Sequence, residues 1–296
     1  MTSRMSDALD LIHPRWVERY HLRGRESEVI SLGAAELLSA RRFDLFAKLF
    51  YVRNRKTRPL LARRVYYENL RVLVPSGKEW GKEKEKSSFA VHFKVFDSLI
   101  GSFGSGDFDP SVSIVPVGKD HVLMDGAHRV STLAFYGKDV TVCSFPEVPS
   151  DEFPYSFFLE NGMSRRSADL SALEGVRFVE GMCVLKVLPG GEEPDLDGCE
   201  VFYRRDLRLG RSGQVKFVFF VPGDGWSRCD RNHVETICGR EAVARVSEEV
   251  LTWRGRWRSR EVGALSFLIG YVFESVGDRV RTTRRFRARK KWVEGG

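Results

Sequence analysis

The stretch VLMDGAHRVSTLAFYG, residues 122–137, determines the predicted fold of the middle of the chain. An apolar run of the kind that forms strands ends at Asp125 and Gly126, and a helical pattern then begins with His128 and Arg129 in its first turn. Apolar residues recur in this helix at the spacing of one face, and a glycine closes it. The sequence therefore predicts a strand-to-helix corner that carries a carboxylate, an imidazole and a guanidinium.

The residue types at this corner favour the binding of an anion. The first turn of a helix leaves backbone N–H groups unpaired, and the helix dipole adds partial positive charge there. Gly126 lets a phosphate approach the backbone, and His128 and Arg129 add donors beside the amide of Ala127. Asp125 has two possible roles, because it can cap the helix or hold Mg²⁺ beside a phosphate.

Helical and strand patterns alternate on both sides of the corner. An aromatic helix starts at Phe89, a strand is expected over residues 139–145, and two helices are expected upstream over residues 31–54 and 57–73. Thr57 is a candidate cap of the second helix. After Pro146 the pattern becomes mainly strand-like, so the fold class is expected to be α+β.

Four regions are expected along the chain. The corner lies in the second of them, and the turn-rich segment PEVPSDEFP at residues 146–154 marks its end. The regions are a helical N-terminal extension at 1–75, a core with the anion-binding corner at 76–150, a C-terminal α+β region at 151–278 and a basic tail at 279–296.

The net charge of +8 is concentrated at one end of the sequence. Residues 279–291 hold eight Lys or Arg and no acid, and the remainder is formally neutral. A protein that binds nucleic acid over its whole surface is usually basic on its folded face. The tail is therefore expected either to meet an anionic partner, such as a membrane surface or nucleic acid, or to be solvated.

Composition and the absence of known motifs exclude several classes of protein. No apolar run reaches the roughly 20 residues of a membrane span, and the N-terminus lacks a signal-peptide core, so a cytoplasmic location is expected. The five cysteines form no tight pairs and are expected to be reduced thiols. The sequence contains no P-loop, protein-kinase glycine loop or Ser-His-Asp signature.

The segment DGAHRVSTLAFYG resembles the Asp-Gly-x-His-Arg box of the ParB/sulfiredoxin-like superfamily, and the elements before it fit over about residues 89–145. The box is most similar to that of the archaeal free serine kinase branch. With the segment RFDLFAK at residues 42–48, it also resembles bacterial proteins associated with surface-glycan gene clusters. Ala127 stands where sulfiredoxins carry their catalytic cysteine, and no helix-turn-helix like that of chromosome-partitioning ParB proteins is evident after Pro146.

The resemblance implies that the corner binds ATP or ADP and that a kinase reaction transfers a phosphoryl group to a hydroxyl of a small molecule or glycan. Asp125 would hold Mg²⁺ or orient the acceptor, and His128 would assist catalysis. In the serine kinase relatives an upstream glutamate serves as the base. Glu79, in the loop at residues 76–88, is favoured here over the other upstream candidates, Glu68, Glu83 and Glu85. The alternative is a ParB-like nucleotide-binding regulator of DNA or RNA, or a nuclease.

Overall fold

Helices and strands alternate along the part of the chain that the computed structural model describes, which is residues 8–75, 88–105, 114–208, 214–224, 226–228, 233–239, 241–247 and 250. This confirms the mixed helix-and-sheet class. None of the described helices is long and apolar enough to cross a membrane. The helices are α1 (Pro14–Arg19), α2 (Asp44–Asn54), α3 (Pro59–Leu73), α4 (Phe89–Ser105), α5 (Ala127–Phe135), α6 (Tyr155–Glu160) and α7 (Arg165–Gly175), with further helical turns at 8–11 and 241–247.

The described strands form two sheets. The strands are β1 (Glu28–Gly33), β2 (Val115–Val117), β3 (Asp139–Ser144), β4 (Cys183–Val187), β5 (Glu200–Arg208), β6 (Gln214–Val221) and β7 (Val234–Cys238). In the first sheet the order is β1-β3-β2, with β1 antiparallel and β2 parallel to β3. The second sheet is antiparallel throughout, in the order β5-β6-β4-β7.

Helix α2 lies at the centre of the molecule. All of its residues from Asp44 to Val52 are buried, and it packs against α3, α5 and α7. The ring of Phe46 also stacks on Phe202 of β5, with 6.0 Å between the ring centroids. A helix that is buried all round needs neighbours on every side. Helix α2 obtains them from segments that lie both before and after Gly126 in the sequence.

The expected boundaries at residues 75 and 150 do not separate hydrophobic cores. Strand β1, from the region expected to be a helical extension, supplies an edge of the sheet that contains β3. The largest apolar cluster runs from Ala34 to Val250. The described residues of this region, from Ala34 to Val72, therefore contribute to the shared core.

Three local differences from the sequence expectations have physical causes. The helix expected over residues 31–54 is split, because residues 28–33 pair with β3 and the chain enters α2 only at Asp44. Arg58, not Thr57, is the N-cap of α3, with Pro59 in the first turn. The chain after Pro146 forms α6 and α7 before the strands of the second sheet begin.

The expectation of reduced thiols is wrong for one pair of cysteines. Cys183 of β4 and Cys238 of β7 face each other across neighbouring antiparallel strands and form a disulfide. The two cysteines are 55 residues apart in the sequence, so no local pattern indicates the pairing. The register of β4 and β7 brings them together. Cys143 and Cys199 are free.

A glycine permits the close approach of α2 and α7. Gly175 ends α7, and a Cβ atom there would overlap the ring of Phe46. We expect Gly175→Ala to lower the free energy of unfolding by about 1–3 kcal/mol, because the Phe46 ring must move within a packed core. Gly101→Ala in α4 is the matched control, since a Cβ there meets nothing within 4 Å. Urea unfolding measures both, and equal stability of the two variants would contradict the packing described.

Candidate functional site

The turn at Gly126 and the start of the helix form where the sequence predicts them, but the strand expected before them is reduced to one isolated bridge. Leu123 pairs with Val117 at the end of β2, and the amide of Met124 donates to Pro116 at 3.0 Å. The chain then turns at Gly126, and α5 begins at Ala127. The hydrogen bonds to β2 thus fix the direction in which the chain enters the corner.

Gly126 is required at this corner for two reasons. Its φ of 88° lies in the left-handed region, which strains other residues. A Cβ atom there would also lie 3.0 Å from Val115 Cγ2 and 3.1 Å from Arg129 Nη2. Gly126 is the N-cap of α5, so no capping side chain stands at this position. One of the two roles open to Asp125 was to cap this helix. Its neighbour Gly126 occupies the N-cap position instead.

Asp125 and Arg129 face each other across the corner. The Oδ2 atom of Asp125 lies 3.8 Å from Nη2 of Arg129, and both side chains are partly exposed. Arg129 Nη1 also donates to the carbonyl oxygen of Ile114 at 3.3 Å. The guanidinium is thus held beside the helix N-terminus while part of it stays open to solvent.

His128 is held by aromatic residues from α3 and α4. Its Nε2 atom lies 2.6 Å from the hydroxyl of Tyr66, and its ring meets Phe96 edge-on with 4.6 Å between the centroids. The side chain of Tyr66 is fully buried. A phenol is a better donor than acceptor, so the hydroxyl of Tyr66 donates to Nε2 and the proton of a neutral imidazole is then on Nδ1.

A buried group of three charged residues holds the segment that leads into the corner. Arg42 donates two hydrogen bonds to the carboxylate of Asp44, at 2.9 and 3.1 Å, and Lys48 Nζ lies 2.9 Å from the same carboxylate. All three side chains are at most 6% exposed. Arg42 also donates through Nη1 to the carbonyl oxygen of Leu123, two residues before Asp125.

The charges of this buried group are well compensated. Burial alone would raise the pKa of Asp44, but Arg42 and Lys48 hold it far below its usual range. Burial alone would likewise lower the pKa of Arg42, yet Asp44 raises it above the usual value. One buried carboxylate is thus shared by two buried cations.

Arg129 is in the opposite electrostatic situation. Burial lowers its pKa, and the attraction of Asp125 offsets that effect only in part. Charge-assisted contacts with an anionic ligand are strong. Arg42 is buried among its partners, whereas the guanidinium of Arg129 reaches the partly exposed edge of the corner, where such a ligand could meet it.

The upstream acids have separate positions. Glu68 is buried, receives hydrogen bonds from the amide and hydroxyl of Ser164 at 2.9 and 2.6 Å, and pairs with Arg64. It therefore holds the start of α7. Glu79, Glu83 and Glu85 lie outside the described residues, so Glu79 remains a prediction.

No group of three or more His, Cys, Asp or Glu side chains suited to a metal occurs among the described residues. Asp125 is the carboxylate present at the corner, and its side chain is 34% exposed. Mg²⁺ commonly binds one or two protein carboxylates together with phosphate oxygens and water. The corner thus fits a cation that arrives with a phosphate ligand.

Sequence reasoning gave no role to Tyr66 or to the charged triad. The signal for the triad was present, because Asp44 and Lys48 stand four residues apart in a helix that is otherwise apolar. Charged residues on a buried stripe must pair. The partner of His128 lies 62 residues away in the sequence, and no local pattern indicates it.

Comparison of this chain with models of protein families, with curated proteins and with solved structures yields no match.

The first prediction at this site concerns Asp44. Replacement by Asn leaves Arg42 and Lys48 buried without a carboxylate, so we expect Asp44→Asn to cost about 3–5 kcal/mol of unfolding free energy at neutral pH. Asp151→Asn is the control, because its pair with Arg19 is largely exposed and should cost less than about 1 kcal/mol. Urea unfolding distinguishes the two.

The stabilisation by Asp44 should depend on pH. Its pKa is lower in the folded state, so its contribution is complete above an unfolded pKa of about 3.9 and is lost as pH falls below that value. The stability difference between the wild type and Asp44→Asn should therefore narrow in acid. A difference that is constant from neutral pH to acid would contradict the ion-paired geometry.

The second prediction concerns the imidazole of His128. We expect the Nδ1–H tautomer in the wild type and a shift toward Nε2–H in Tyr66→Phe, because the donor to Nε2 is removed. Nitrogen NMR of the histidine rings measures the tautomer. Tyr155→Phe removes a buried hydroxyl bonded to Asp169 and should leave His128 unchanged. The same tautomer in the wild type and Tyr66→Phe would show that Tyr66 does not set it.

Proposed function

We propose that this chain is a ParB/sulfiredoxin-like nucleotide-dependent phosphotransferase that phosphorylates a hydroxyl of a small molecule or glycan. The observation that carries the proposal is the corner itself. There, the partly exposed guanidinium of Arg129 stands beside the N-terminus of α5, whose N-cap is a left-handed glycine. Transfer of a phosphoryl group requires positioning and charge neutralisation more than covalent chemistry by the protein.

The corner would hold the phosphates of ATP or ADP. The start of α5 offers backbone amides and the positive end of the helix dipole, and Gly126 leaves the approach open. Arg129 would bind phosphate oxygens through its guanidinium. Both effects favour an anion of high charge over a neutral ligand.

Asp125 would hold Mg²⁺ at the edge of the corner, where its side chain is partly exposed. Bound there, Mg²⁺ would neutralise charge on the phosphate oxygens. Asp125 also limits the freedom of the Arg129 guanidinium through their contact at 3.8 Å. The two side chains thus present opposite charges to one ligand.

His128 would contribute a positioned side chain. With the hydroxyl of Tyr66 bonded to Nε2, the imidazole can rotate little, and its ring would add a positioned polar group beside a phosphate or acceptor oxygen. In the reaction, the acceptor oxygen bonds to the terminal phosphorus, the bridging P–O bond breaks, and a base takes the hydroxyl proton. Glu79 is proposed as that base, by the resemblance to serine kinases.

The alternative DNA-binding reading gains little support from the helices after β3. Helices α6 and α7 are joined by a short turn, as in a helix-turn-helix, but α7 is buried from Ser167 to Gly175 except at Leu170, which is partly buried. Its packing on α2 occupies the surface that a recognition helix would present to a DNA groove. This pair of helices therefore serves the core.

The test of the proposal is nucleotide binding followed by phosphoryl transfer. We expect Arg129→Ala to weaken binding of ATP or ADP with Mg²⁺ by about tenfold to a hundredfold, because a charge-assisted contact is lost. Arg41→Ala removes an exposed arginine paired with Asp120 and should leave affinity unchanged. Calorimetry measures the affinities.

The transfer step is assayed with free serine and a panel of sugars as acceptors, by detection of a new phosphate monoester. Activity in the wild type and Arg41→Ala but not in Arg129→Ala would support the proposal. Nucleotide binding that survives both His128→Ala and Arg129→Ala would refute the assignment of the corner.

A further inference from the structure

A dense group of basic residues surrounds the connection between α2 and α3. Between Asp44 and Glu68 the sequence contains no acid. Residues 53–64, here called the basic turn, comprise the end of α2, the connection and the first turns of α3. Their basic side chains are Arg53, Arg55, Lys56, Arg58, Arg63 and Arg64.

Half of these cations have acidic partners in the described part of the chain. Lys56, Arg58 and Arg63 lie within ion-pair distance of no described acid, and all three are exposed. The basic turn therefore has an excess of positive charge. The pairs that do form are Arg53–Glu174 at 3.1 Å, Arg55–Asp97 at 3.7 Å and Arg64–Glu68 at 2.9 Å.

An apolar side chain projects from the middle of this charge. Leu60 is 84% exposed, compared with at most 45% for the other exposed large hydrophobic residues in the described part of the chain. It stands in the first turn of α3, with Arg63 one turn later on the same face. Leu61, by contrast, packs partly against the core. An almost fully exposed leucine beside exposed cations has little packing against the described part of the chain.

We propose that the basic turn docks the protein on the surface of an anionic lipid bilayer. Lys56, Arg58 and Arg63 would contact headgroup phosphates, and Leu60 would enter the boundary of the acyl chains. Basic segments are attracted to anionic membrane surfaces, and a nearby apolar side chain gains free energy by leaving water. The proposal concerns a different surface from the corner and does not depend on the phosphotransfer reaction.

Leu60 distinguishes a bilayer from the other anionic partners. Exposed cations alone fit nucleic acid, since phosphate contacts carry most of its non-specific affinity. An aliphatic side chain projecting among those cations gains nothing from a sugar-phosphate backbone. A surface that is anionic outside and apolar just beneath interacts favourably with both the excess cations and the leucine.

The test uses the full-length protein and sedimentation with vesicles of phosphatidylcholine alone or with about one quarter phosphatidylserine. We expect binding to the anionic vesicles only, and a fall of about 25-fold in partitioning for Lys56→Gln/Arg58→Gln, at about fivefold for each charge removed. We expect partitioning of Leu60→Ser onto the same vesicles to fall by about fivefold or more. The dependence of its partitioning on salt should stay that of the wild type.

Two controls match these variants. Arg23→Gln/Arg25→Gln removes the same charge from exposed residues of the N-terminal segment, and Leu188→Ser replaces another exposed leucine. Both should partition as the wild type does. The proposal is overturned if Lys56→Gln/Arg58→Gln binds anionic vesicles as strongly as the wild type does. It is equally overturned if the control Arg23→Gln/Arg25→Gln loses as much vesicle binding as that variant. It is also overturned if Leu60→Ser binds normally while Lys56→Gln/Arg58→Gln loses binding to duplex DNA, because the surface then belongs to nucleic acid.

Discussion

The carboxylate of Asp44, held between Arg42 and Lys48 at the start of the central helix, is the interaction on which the rest of the structure depends. It allows two cations to be buried, and one of them holds the backbone at Leu123, just before the corner. The position of the corner relative to the core is therefore set by an ion-paired contact rather than by apolar packing alone. Because a buried ion pair is costly to break and specific in geometry, it suits this positioning role.

The site divides its charged residues into two kinds. Arg42 and Lys48 share the carboxylate of Asp44 inside the core, whereas Arg129 lies at the partly exposed edge of the corner, 3.8 Å from Asp125. His128 is likewise fixed by a protein group, the hydroxyl of Tyr66, before any ligand arrives. Preorganised donors lose little free energy when they bind a charged ligand. This arrangement supports an anion site whose geometry exists in the folded chain.

Local patterns predicted the corner well. The turn at Gly126, the start of α5 at Ala127 and the strand after it follow from apolar periodicity and glycine placement, and the structure has them at those residues. Contacts between distant segments were not predictable in this way. The pairing of β1 with β3, the disulfide between Cys183 and Cys238, and the bond from Tyr66 to His128 each depend on tertiary register, for which a single sequence carries no period.

The central claim is that the corner binds nucleotide phosphate through the start of α5. Titration of the protein with ATP and Mg²⁺, followed by amide NMR, tests it most directly, because each backbone N–H reports its own hydrogen bond. The account predicts that the largest shifts occur at the amides of residues 126–129 and that AMP, which lacks the outer phosphates, produces much smaller ones. Large shifts confined to other parts of the chain, with the corner amides unmoved, would contradict it.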